Sequence, residues 1–68
     1  MRTEMIKNKL KELGCKVFNL NLDKQMCIFV YKSGFYITHF RNIYGTNDIS
    51  ILIKEAKQPE TISDLRFL

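Results

Sequence analysis

The sequence predicts a two-layer α+β fold: a three-stranded antiparallel sheet with two helices packed on one face, in the order α-β-β-β-α, plus a short C-terminal segment. Three observations carry this. Apolar residues recur at helical spacing over residues 3–13 and again over 48–57. Between them lie three short runs rich in β-branched and aromatic residues, parted by turn formers. With 68 residues the chain has room for one small domain, 1–68, whose core is thin because folding at this size buries only about 60% of the unfolded surface.

The first helix places Ile6, Leu10 and Leu13 on one face and directs Lys7, Lys9 and Lys11 elsewhere. Thr3 is the expected cap at its start, and Gly14 the left-handed residue that ends it. Residues 15–22 (CKVFNLNL) alternate as a strand, Asp23-Lys24 offers a tight turn, and residues 25–32 (QMCIFVYK) form a second strand. Ser33-Gly34 signals a hairpin into a third strand over residues 35–42 (FYITHFRN). After the loop Tyr44-Gly45-Thr46-Asn47, a second amphipathic helix carries Ile49, Leu52, Ile53 and Ala56, with Asn47 or Thr46 as its cap and Pro59 beyond its end. The tail, residues 59–68, reads either as a short helix or as an added edge strand, with Ile62, Leu65, Phe67 and Leu68 as its apolar positions.

Two-residue turns at Asp23-Lys24 and Ser33-Gly34 would set the register by counting back. Leu20 then pairs with Cys27 and Phe40, Phe18 with Phe29 and Thr38, and Tyr31 with Tyr36, all facing the helices. The opposite face gathers Val17, Met26, Ile28, Val30, Phe35 and Ile37, a surface that two layers leave in water and that reads as a partner-binding or homodimer face. Toward its other end stands a polar patch of Asn19, Asn21, His39 and Arg41, where histidine supplies acid–base chemistry and arginine an anion ligand. The same register sets Cys15 on the face opposite Cys27 and roughly 15 Å along the strands, beyond disulfide reach. Two reduced core thiols are expected, and with His39 they lack metal-site spacing, so no metal or other cofactor is expected.

Eleven Lys and Arg oppose seven Asp and Glu, and the excess is uneven: residues 1–16 carry five positive and two negative charges, residues 46–68 three and four. A basic first half suits either a solvated helix or contact with an acidic partner, and Lys7, Lys11 and Lys16 are the candidates for nucleic-acid phosphates. The uncharged run at residues 26–31 is far short of the ~20 residues that cross a bilayer, and the alternating charges of MRTEMIKNKLKEL lack the apolar run of a secretory signal. A cytoplasmic protein with no membrane partner is expected. Glycine-rich phosphate loops, G-x-S-x-G, H-E-x-x-H and calcium-loop motifs are absent from the sequence, which points away from catalysis.

The order IKNKLKELGCKVFNL, a hairpin, GFYITHF and NDISILIKEAK resembles the HicA-type messenger-RNA interferase toxins over roughly residues 3–57. The α-β-β-β-α order and the length also resemble the double-stranded RNA-binding domain. The first resemblance implies a catalytic histidine at the start of the second strand, where this chain has Gln25-Met26-Cys27, leaving His39 as its only histidine. The second implies lysines at the start of the second helix, where Thr46-Asn47-Asp48-Ile49-Ser50 instead puts a carboxylate that repels phosphate. The expectation is therefore a small, non-enzymatic binding or inhibitor-type protein acting through its sheet face, alone or as a homodimer. Its composition suits a phage or mobile-element accessory protein. The alternatives are an interferase-type RNA-directed protein using His39 and Arg41, and a basic DNA-binding regulator.

Overall fold

The computed structural model describes residues 2–67. The elements run α1 (Arg2–Glu12), β1 (Lys16–Asn21), β2 (Met26–Tyr31), β3 (Gly34–His39), α2 (Phe40–Tyr44), α3 (Ile49–Glu55) and α4 (Ile62–Leu65). The strands form one antiparallel sheet in the order β1-β2-β3, with helices against it: the expected α+β fold, to which α2 is an addition, while α4 is the short helix allowed for the tail.

The expected start of α1 shifts: Thr3 is a helical residue, one position inside Arg2. Its end is as expected. Gly14 adopts φ 83, its N–H bonds the Lys11 carbonyl at 3.1 Å, and the Cys15 N–H reaches back to Leu10 at 2.8 Å. This pair of bonds is the Schellman closure, and it turns the chain straight into β1. It also turns Cys15 inward. Cys15 joins Ile6, Leu10, Cys27, Phe29, Phe40, Ile43 and Leu52 in the core, so both thiols lie on the helix side of the sheet rather than on opposite faces.

Register departs from the two-turn count in two places. Leu20 pairs with Cys27 as expected, but an irregularity between Val17 and Asn19 adds one residue to β1, so Val17, not Phe18, stands opposite Phe29. A bulge of this kind reverses faces upstream of it. Val17 packs against the core, and Phe18 stands half-exposed on the other side. At the second hairpin the turn residues are Lys32 (φ 55) and Ser33, and Tyr31 pairs with Gly34 rather than Tyr36. That slip spans two residues, and an even slip leaves every side chain on its original face. Leu22, expected in the strand, belongs to the four-residue turn that precedes β2.

The third strand stops at His39, three residues sooner than its apolar pattern suggests. Phe40 and Ile43, three apart, are instead the buried face of α2. The Phe40 N–H bonds the Gln25 carbonyl at 2.9 Å, and Asn42 donates to the Thr38 hydroxyl at 2.8 Å. Asp48, rather than Asn47 or Thr46, caps α3 by accepting the Ser50 N–H. The helix ends at Glu55, short of the expected Lys57, because Lys57 exchanges two backbone hydrogen bonds with Ile37 on β3 (2.7 and 2.8 Å).

Of the two forms the sequence allowed for the tail, the short helix forms and the edge strand does not; the one strand-like bridge, at Lys57, precedes the tail. After the Lys57 bridge comes α4, opened by a capping box in which Thr61 accepts the Asp64 N–H and Asp64 accepts the Thr61 N–H. Leu68, one of the tail's expected apolar positions, lies outside the described residues. Among the described residues no helix is long and apolar enough to cross a membrane.

Candidate functional site

The face of the sheet away from the core is built in rows. Lys16, Val30 and Phe35 make one; Asn19, Ile28 and Ile37 the next; Asn21, Met26 and His39 the last. Two layers would leave these rows in water. The tail instead crosses them: the Asn19 side-chain amide donates to the Leu65 carbonyl at 3.1 Å, and the Lys24 ammonium to the Phe67 carbonyl at 3.2 Å. Ile28, expected as an exposed binding residue, is 0% exposed, while Met26, Val30 and Ile37 are half-buried. The centre of the outer face is thus covered rather than bare. Of the six apolar residues expected there, Val17 lies on the other side and Ile28 is buried, because a bulge and a covering tail are invisible to strand periodicity.

Apolar surface persists at one end. Phe18 (50% exposed) meets Phe35 (39%) edge to face, ring centroids 5.0 Å apart and planes at 80°. Phe35 also lines a groove of about 240 Å³ with Pro59, Glu60, Thr61, Ile62 and Leu65, and Ile62 is 68% exposed. Phe18 and Ile62 were not among the expected site residues. Nothing in the alternation marks the bulge that exposes Phe18. Ile62 was legible in principle, since Thr61-Ile62-Ser63-Asp64 carries the S/T-x-x-D signature of a helix start.

The polar end is partly consumed by structure. Asn21 accepts the Lys24 N–H at 2.9 Å and so closes the first turn; Asn19 holds the tail. His39 is exposed and lines a cavity of about 350 Å³ with Lys24, Asn42, Glu55, Lys57 and Asp64 among others. Arg41 leaves this group, since it belongs to α2 and not to a strand. The Asp64 carboxyl sits below its ordinary value, chiefly through the hydrogen bond from the Glu60 N–H. Among the described residues no group of three or more His, Cys, Asp or Glu could hold a metal ion.

The two thiols are in no position to act as nucleophiles. Burial, with a smaller push from Cys15, raises Cys27 to about 12, and burial alone raises Cys15. A nucleophilic cysteine needs the opposite shift.

The three lysines singled out by charge are brought together. Lys7, Lys11 and Lys16, all exposed, line one groove of about 420 Å³ with Gly14, Cys15 and Val17.

No family model, curated protein or solved structure matches the chain.

Proposed function

We propose that the chain is a non-catalytic, inhibitor-type binding protein that docks a protein partner on its outer face over Phe18, Phe35 and Ile62. The observation that carries this is the aromatic pair. Phe18 and Phe35 come from the two outer strands, meet across β2, and remain 50% and 39% exposed beside Ile62. Contiguous large apolar side chains in water are relieved by association, and aromatic anchors beside a groove are where binding energy concentrates.

Charge selects the partner. Lys16 stands in the same row as Phe35, Lys32 lies in the adjoining turn, and both are exposed. Among the described residues Glu60 is the one acidic side chain lining the groove. With a net charge of +4, the chain favours a segment that offers an apolar side chain flanked by carboxylates.

A peptide library displayed on phage tests this. Enriched peptides are expected to share an aromatic or large aliphatic residue beside Asp or Glu, and to lose tenfold or more in affinity for Phe35→Ser. No enrichment, or binding that ignores both Phe18→Ser and Phe35→Ser, sinks the reading. A dimer seen by sedimentation velocity and dissolved by Phe35→Ser would overturn it in favour of a second copy of the chain.

A further inference from the structure

We infer that the groove at the junction of α1 and β1 binds the phosphate backbone of nucleic acid, without regard to sequence, through Lys7, Lys11 and Lys16. This surface shares only Lys16, at the edge of the outer face, with the patch around Phe18 and Phe35, and the inference does not rest on that reading.

The groove is a product of the chain reversal. Lys7 and Lys11 are one helical turn apart and share a side of α1. The Schellman closure at Gly14 then returns the chain so abruptly that Lys16, the first residue of β1, lines the same groove. Cys15, buried in the core, anchors the return between them. The three ammonium groups therefore come from two elements whose mutual placement is set by backbone hydrogen bonds.

Among the described residues, a side-chain hydrogen bond accounts for one neighbouring lysine and for none of these three. Lys9 donates to the Asn47 side chain and so ties α1 to the loop before α3. Among the described residues no carboxylate lines the groove. Glu4, three residues before Lys7, is its helical neighbour toward the start of α1 but is not part of the lining. Like charges four apart on a helix repel weakly, and a bound anion would relieve that repulsion.

The remaining lining selects the anion. Gly14, Cys15 and Val17 offer no aromatic side chain and no arginine, the residues on which protein contacts depend. Without arginine or amide side chains, base reading is limited to a lysine on guanine, whereas lysine's compact point charge suits phosphate at every position of a strand. The chemistry is that of a backbone contact, which positions a strand and carries no sequence information.

The test is fluorescence anisotropy of the full chain with labelled 20-nucleotide single strands and duplexes of several sequences, across a series of salt concentrations. Three neutralised phosphates predict a slope of log K against log salt near −2.7 for duplex and near −2.1 for single strand, equal across sequences. Each of Lys7→Ala, Lys11→Ala and Lys16→Ala is expected to lower the duplex slope by about 0.9, and the triple variant to remove the salt-dependent binding. Lys54→Ala, on α3, leaves the slope unchanged, as does Phe18→Ser. Failure to bind at 50 mM salt overturns the inference. So does an unchanged slope in the triple variant, or equal competition by polyglutamate, which would reassign the groove to an acidic protein.

Discussion

The side-chain amide of Asn19 donates to the main-chain carbonyl of Leu65, 46 residues later, at 3.1 Å. The other end of the same amide accepts the Leu20 N–H at 2.9 Å, so one partly buried side chain is satisfied at both ends and fixes the tail to β1. Asn19→Leu leaves the Leu65 carbonyl without this partner at a cost of about 1 kcal/mol. Hydrogen exchange is the direct readout. Amides of residues 62–67 should exchange faster while those of α1 do not. Unchanged exchange in the tail would mean that the bond holds nothing.

Ile28→Ala measures how far the outer face has become core. Under the tail this substitution opens a cavity and should cost roughly 2–5 kcal/mol. Val30→Ala, in the half-buried row beside it, should cost less. Urea denaturation of both variants decides. Equal, small losses would mean that Ile28 is solvated and the tail does not cover the sheet.

Gly14→Ala isolates a backbone effect. An added Cβ would meet only the Tyr31 ring edge, at 3.9 Å, so there is no clash. The cost is the left-handed φ of 83, roughly 1–2 kcal/mol for an L-residue. A D-alanine placed at position 14 by chemical synthesis should restore the lost stability. A D-residue as damaging as the L-residue would show that contact, not handedness, is at issue.

The thiols predict an alkaline weakness. Burial holds Cys27 protonated up to about 12, whereas in the unfolded chain it ionises near its ordinary 9.0. The folded state thus binds more protons than the unfolded state between those values, and stability must fall as pH rises through the interval. Below pH 9 the contribution is fully present. Cys15, also raised by burial, acts in the same direction. Chemical denaturation at pH 8 and pH 11 should show the loss, and Cys27→Ala should reduce it. In native protein at pH 8, iodoacetamide should leave Cys27 unlabelled until urea is added.

Much of this architecture is legible in residue spacing, and the failures share a cause. Ile6 and Leu10 mark the buried face of α1, and Gly14 marks its end, because both signals are local. The Leu20–Cys27 pair follows from counting back from a turn, but the count breaks at Val17 and Phe18. Two adjacent apolar residues give no sign of which faces inward, and the bulge that decides between them is a property of the paired strands. Likewise, Phe40 fits a strand or a helix equally well until Ile43 is buried beside it. In the sequence the outer-face site shows as six bare apolar residues, because a tail of ten residues with a single proline does not announce which surface it crosses. The lysine groove fared better: charge alone nominated Lys7, Lys11 and Lys16, and the turn at Gly14 brings them together.

The short bridge between Ile37 and Lys57 has a consequence for how copies of the chain behave in a crowd. A small sheet with apolar side chains on both faces invites neighbours to add strands to its borders and grow into fibrils. Here one border is occupied at its centre, because Ile37 gives both its backbone groups to Lys57. The other is spoiled by the kink between Val17 and Asn19 and by the charge of Lys16. Among the described residues neither edge presents a long, flat ladder of unpaired amides, so the usual template for strand-by-strand growth is interrupted on both sides of the sheet.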